Sequence, residues 1–320
     1  MNNKLIKKTL LTTILSFLIL MLPCVSNVHS ETVFENGSTG NRYSVIVGID
    51  DYEKNGMDLH RPAEIAKCIY ESLSSKPGWY EENIKLLTDK KATKQGIIDA
   101  LDWLESVSTD EDVVVFTFAG HGSIVPDDNG DERFDQVIVP QDAGDDYDDF
   151  ISDDELNQEL SEVKAKGMYI VIDSCFSGGF NDLGEKDTSE YNIFKKYNDF
   201  NFNFTSTLSK SENRVVFMSS LPSTATYNIK TPKDGNIGVT DGIPRAIENG
   251  ETTAEGISEY TKNWWLNHPT IIITMIKDIL FYLILLSPAQ IIFYLLHGHF
   301  YAALPLPHMI DNYPGELQII

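Results

Sequence analysis

The stretch Asp112–Gly122, DVVVFTFAGHG, decides the fold. From Asp112 to Phe118 it is nearly continuous Val, Phe and Thr, with no alternation of apolar and polar positions. A strand that is apolar on both faces belongs inside a parallel sheet covered on both sides by helices. The run stops at Gly120, and His121 follows between two glycines. A second run, Met168–Asp173 (MYIVID), has the same character and stops at Ser174 and Cys175, with Gly178 and Gly179 close behind. In an open parallel sheet, ligands gather at the carboxyl ends of the strands. With the two strands as neighbours, His121 and Cys175 face one crevice.

Outward from this pair, Tyr43–Ile49, Ile84–Leu87, Val137–Val139 and Arg214–Met218 also read as strands. Helical spacing and start signals occupy Pro62–Ser74, Thr93–Val107 and Ser152–Val163. The last opens on Ser152 with Glu155 three positions on, a capping box. The sum is an α/β chain, a three-layer sandwich with a mostly parallel central sheet. Asn181–Asn213 is polar, without a period, and reads as a long surface loop. A Gly- and Asn-rich stretch, Thr231–Gly250, precedes a helical run from Thr253 to Trp265.

The ends differ from this middle. Lys4, Lys7 and Lys8 precede an apolar run, Leu10–Leu22, and a short polar stretch ending at Ser30. That is the layout of a signal peptide over residues 1–30, with cleavage after Ser30. An uncleaved N-terminal anchor is the other reading of the same run. Export follows from either, so the protein is expected to be secreted or attached to the outer face of the cell membrane. The main domain is expected over 41–265. Residues 266–320 form an apolar C-terminal extension, interrupted by Lys277, Asp278 and Pro288. It fits a membrane-associated hairpin or an imperfect span, and it equally fits an amphipathic helix pair packed on the domain.

Composition excludes several classes. With 42% hydrophobic and 11% aromatic residues the chain has ample core material. Its net charge is −23, and loss of residues 1–30 removes three lysines and no carboxylate, giving −26. Such an acidic surface repels nucleic acid and suits basic substrates or divalent cations. Beyond residue 30 only Cys68 and Cys175 occur, far apart and in unlike surroundings, so a disulfide framework is not expected. No CxxC or HExxH zinc spacing is present. Cys68 lies in a helical pattern and reads as packing.

Cys175 and His121 have a chemical use. A free thiol is mostly protonated at neutral pH, and a nearby imidazole can generate or stabilise the thiolate that attacks an acyl carbon. The glycines beside both residues let backbone approach substrate and leave amides free for an oxyanion, with Gly122 and the Cys175 amide as donors.

VVVFTFAGHG, the acidic DDNGDERFDQVIVPQD, ISDDEL and YIVIDSCFSGG, in that order, resemble the caspase-like cysteine peptidases, the metacaspase type more than animal caspases. The likeness covers Tyr43 to Ser220 and includes VGIDDY at its start. It implies a caspase-like fold and a thiol endopeptidase working through a His121–Cys175 dyad on peptide or protein substrates, with no cofactor required for the chemistry. It further implies cleavage after Arg or Lys, since carboxylates line the first specificity pocket in this family. Asp173 matches one of them. Where the second is expected, this chain has Ile65 with Glu64 beside it. Asp135, Asp153, Asp154 and Asp182 resemble the positions of regulatory calcium ligands, and calcium takes such oxygens. Lys186, Lys195, Lys196 and Lys210 lie in the polar loop after Cys175, which reads first as a solvated loop and, if cleavage follows basic residues, is a candidate self-processing segment. The alternative to an enzyme is a catalytically inactive caspase-like binding module tethered to a membrane.

Overall fold

The structure is a computed structural model, and it describes residues 40–54, 56–126, 134–144, 146–174, 213–219, 229–231, 235–273 and 307–320. The expected signal peptide, Cys175, Asp182, the four loop lysines and most of the apolar tail lie outside these residues.

Six strands form the main sheet: β1 (Arg42–Gly48), β2 (Ile84–Thr88), β3 (Val113–Ala119), β7 (Gly167–Asp173), β8 (Arg214–Met218) and β11 (His308–Asp311). Their order is β11-β8-β7-β3-β1-β2, and all pairings are parallel except β11 with β8. Every side chain of β3 and β7 is buried, as their unbroken apolar sequences require. Successive residues feed opposite faces. Val114, Phe116, Phe118, Ile170 and Ile172 pack with α2 (Lys94–Val107) and α3 (Asp153–Glu162). Val113, Val115, Tyr169 and Val171 pack with α1 (Pro62–Ser74), α4 (Gly242–Glu248) and α5 (Ala254–Asn267). Each fully buried Ile or Phe here is worth about 1.5–3 kcal/mol. The three-layer α/β sandwich expected from the sequence is the observed one.

Local signals set the element ends. Thr93 and Ser152 cap α2 and α3, accepting from Gly96 N–H at 3.0 Å and Glu155 N–H at 3.1 Å. The Glu155 carboxylate meets Lys94 Nζ at 2.9 Å, tying α3 to α2. α1 is capped from a distance: Asp50 Oδ1 accepts from Arg61 N–H (3.0 Å) and Ala63 N–H (3.2 Å). Pro62 at the first turn has no N–H to satisfy. Gly48 ends β1 because α1 arrives so close that an added Cβ would stand 2.4 Å from the Pro62 carbonyl oxygen.

Three features differ from the sequence reading. The strand around Val137–Val139 is β5 (Phe134–Ile138), and it lies outside the main sheet, in an antiparallel ribbon with β4 (Gly122–Pro126) and β6 (Ile151–Ser152). The Thr231–Gly250 stretch contains α4, whose seven residues, with Pro244 in the first turn, are too few to show a period. A two-stranded hairpin, β9 (Ile229–Thr231) with β10 (Gly235–Ile237), precedes α4.

The C-terminal extension is divided. Helix α5 runs to Asn267, past the expected boundary, and residues 307–320 belong to the domain. β11 pairs with β8 from His308↔Met218 to Asp311↔Val215, Thr253 bridges Gln318, and Leu317 and Ile319 are buried. Trp79 Nε1 donates to the Ile319 carbonyl at 2.9 Å. Among the described residues no helix is long and apolar enough to cross a membrane.

Candidate active site

β3 and β7 pair in parallel up to Ala119↔Asp173, so the two strands end level. His121 lies two residues past Ala119, and Cys175, outside the described residues, lies two past Asp173. The Gly120 N–H donates to the Asp173 carbonyl at 3.1 Å and extends the ladder by one residue. The chain then turns out of the sheet into β4, which Gly122 opens.

His121 is half-buried and held at three points. Its Nε2 is 2.7 Å from the Met57 carbonyl oxygen, its N–H donates to the Tyr52 hydroxyl at 2.7 Å, and its own carbonyl accepts from Val139 N–H at 3.0 Å. A carbonyl oxygen can only accept, so Nε2 carries the proton and Nδ1 is the bare, basic nitrogen. The Tyr52 ring leans on the imidazole at 4.8 Å between centroids. Gly120 makes room for this arrangement, since a Cβ there would stand 2.7 Å from the Tyr52 hydroxyl. The Met57 carbonyl thus fixes both the tautomer and the orientation of the imidazole. Tyr52 closes the VGIDDY motif and Met57 lies in the following loop. Nothing in the sequence marks either as a partner of His121, 69 and 64 residues away.

Asp173 is buried, and its Oδ2 accepts from both the N–H and the hydroxyl of Thr240. Burial pushes its carboxyl above the usual aspartate range, against the pull of the Thr240 and Ser219 hydroxyls. Asp241, next in sequence to Thr240, accepts from Gly238 N–H at 2.7 Å and is gripped by Arg61 through Nη2 (2.7 Å) and Nε (3.2 Å). Arg61 Nη1 reaches Glu64 Oε1 at 2.7 Å. One chain of contacts therefore joins Asp173 to Glu64 by way of Thr240, Asp241 and Arg61. Glu64 itself stands on the exposed face of α1, whereas Ile65 is buried in the core. Sequence separations of 67 (Asp173–Thr240) and 180 (Arg61–Asp241) hide these pairs from a sequence reading.

Asp135 on β5 and Asp153 at the start of α3 are buried, and Asp154 is partly so. Among the described residues no three or more His, Cys, Asp or Glu side chains are grouped to hold a metal ion. The described carboxylates do not by themselves make a metal site. Cys68 is unpaired and only partly buried, in a cleft of about 380 Å³ between α1 and α4, rather than in the core.

The domain matches the metacaspase, peptidase C14 domain family over residues 42–184. Metacaspase-1A of Aspergillus oryzae is 32% identical over 158 residues, which are 45% of this chain and 36% of that protein. Metacaspase-2 of Arabidopsis thaliana is 32% identical over 154 residues, with the same two coverages. The match thus spans about a third of the length of these curated relatives. Protein GSU0716 from Geobacter sulfurreducens, known from its crystal structure, superposes with a TM-score of 0.49 at 14% identity over 72% of this chain and 90% of that one. The sheet order, rather than this last likeness, carries the fold assignment. Over residues 42–184 the chain is similar to the caspase-like peptidases of the metacaspase type.

Proposed function

We propose that the domain is a cysteine endopeptidase in which Cys175 is the nucleophile and His121 the base. The observation that carries this reading is the imidazole, locked by Met57 with Nδ1 bare, on a strand that ends level with the strand leading into Cys175. The Cys175 thiol gives its proton to His121 Nδ1, and the thiolate attacks the scissile carbonyl carbon. The C–N bond breaks as the imidazolium returns that proton to the leaving amine. Water, losing a proton to His121, then hydrolyses the thioester and frees the thiol. The Gly122 and Cys175 amides hold the oxyanion in both steps.

Asp173 is the selector for Arg or Lys before the scissile bond, with Glu64 outside it. The burial of Asp173 supports this: a cation arriving there meets a carboxylate already stripped of water, where attraction is strong. Calcium as regulator belongs to the same reading and draws on Asp135, Asp153, Asp154 and Asp182. The leader over 1–30 supports export. Membrane association through the apolar run between residues 273 and 307 belongs to the same reading.

Purified chain is tested on peptides carrying Arg, Lys or Asp before a reporter, with and without Ca²⁺, beside Cys175→Ala. Calcium-stimulated release after Arg and Lys, absent in Cys175→Ala, is expected. Release unaffected by Cys175→Ala overturns the nucleophile, and release after Asp alone overturns the pocket.

A further inference from the structure

Arg61 occupies an unusual backbone position. Its φ of 122° and ψ of −38° put an L-residue in a region that glycine adopts far more readily. The contacts of its long cationic side chain show what it meets. Its guanidinium lies along Asp241, a residue 6% exposed and one position from the Thr240 that holds Asp173. Asp241 is close enough to Asp173 to oppose its ionisation. Two buried carboxylates thus share one corner at the carboxyl edge of the sheet, and the chain supplies its own arginine to one of them. Arg61 and Asp241 also line the cleft between α1 and α4, so this pair is within reach of solvent.

We propose that Arg61 is a built-in counter-ion that sets how sharply the Asp173 pocket distinguishes basic from neutral side chains. By holding Asp241, Arg61 leaves Asp173 as the carboxylate that a substrate cation meets, and its own positive charge opposes that cation. The pocket accordingly takes Arg and Lys with weaker discrimination against a neutral residue such as Gln than two unpaired carboxylates would give. This inference rests on the assignment of Asp173 to the first specificity pocket.

The test uses matched peptides that differ only in Arg or Gln before the scissile bond. In the full chain, Arg61→Gln is expected to raise the Arg-to-Gln ratio of kcat/KM about tenfold, because Asp241 is released from its partner. Asp241→Asn is expected to lower the ratio by a similar factor, because Arg61 then faces the substrate cation unpaired. The double variant is expected to return to within about threefold of wild type, and Arg61→Lys to keep the wild-type ratio. A purely structural role for Arg61 would lower kcat/KM for both peptides alike and leave the ratio unmoved.

The same peptides are titrated calorimetrically into Cys175→Ala backgrounds of each variant, so the answer does not depend on turnover. A ratio of affinities that rises in Arg61→Gln supports the inference even in a chain that hydrolyses nothing, a result that would sink the endopeptidase reading alone. Ratios of turnover and of affinity that stay constant across Arg61→Gln and Asp241→Asn, both folded by circular dichroism, overturn it.

Discussion

His121 and Asp173 stand at the ends of neighbouring strands, yet only uncharged groups set His121, whereas a line of charged residues continues behind the Thr240 that holds Asp173. On the histidine side, the Met57 carbonyl fixes the tautomer, the Tyr52 hydroxyl takes the backbone N–H, and the Tyr52 ring covers the imidazole. Those contacts come from the loop after β1 and reach across a short gap. On the acidic side, Thr240 holds Asp173, and Asp241, Arg61 and Glu64 continue the line across α1. Neutral contacts fix where a proton sits; charged ones fix what a pocket attracts. On the proposed function the first side serves chemistry and the second choice, so substitutions on the two sides are expected to separate kcat from KM.

The largest expected separation is on the histidine side. His121→Ala is expected to lower kcat by about 10²–10⁴-fold while KM for an arginine peptide changes little, as steady-state kinetics would show. A large rise in KM instead would merge the two sides. Next, Thr240→Val removes a hydroxyl donor from Asp173 and leaves the backbone N–H alone. That loss of about 1–3 kcal/mol is expected to appear as roughly a tenfold higher KM for arginine peptides with kcat nearly preserved. Tyr52→Phe takes the acceptor from the His121 N–H, worth about 0.5–1.5 kcal/mol, and is expected to reduce kcat a few-fold without altering the Arg-to-Gln preference.

The smallest effect is in pH. Burial raises the Asp173 carboxyl, so between the ordinary aspartate value near 4 and its own higher value the folded chain holds more proton than the unfolded one. Stability from this group is full below that window and lost as pH rises through it. The melting temperature of wild type relative to Asp173→Asn should therefore fall on going from mild acid towards neutrality. Preference for arginine over glutamine should move the other way, growing as Asp173 ionises. Parallel behaviour of the two readouts would contradict the assignment of Asp173 to the pocket.

The same division governs what the sequence discloses. Continuous Val, Ile and Phe in Asp112–Phe118 and Met168–Asp173 can be satisfied only by a strand buried on both faces, so the central sheet is legible residue by residue. The placement of His121 at a strand end is legible for the same reason. Thr240, Asp241 and Arg61 are not, because each is an ordinary polar residue whose partner lies far along the chain. β11 escapes notice for another reason. Edge strands need only one buried face, and His308–Asp311 mixes polar and apolar residues after a long apolar run that draws attention away. The ribbon of β4, β5 and β6 also misleads, since Val137–Val139 has the composition of a sheet strand but pairs elsewhere.

The central claim is that Cys175, rather than Cys68, is the reactive thiol. Burial raises the Cys68 thiol, which makes it a poor nucleophile at neutral pH. Treating the full chain with an arginine-ended peptide chloromethyl ketone and mapping the adduct by mass spectrometry tests this directly. One adduct on Cys175, formed much more slowly in His121→Ala, is the result expected. Labelling of Cys68 with Cys175 untouched would contradict it.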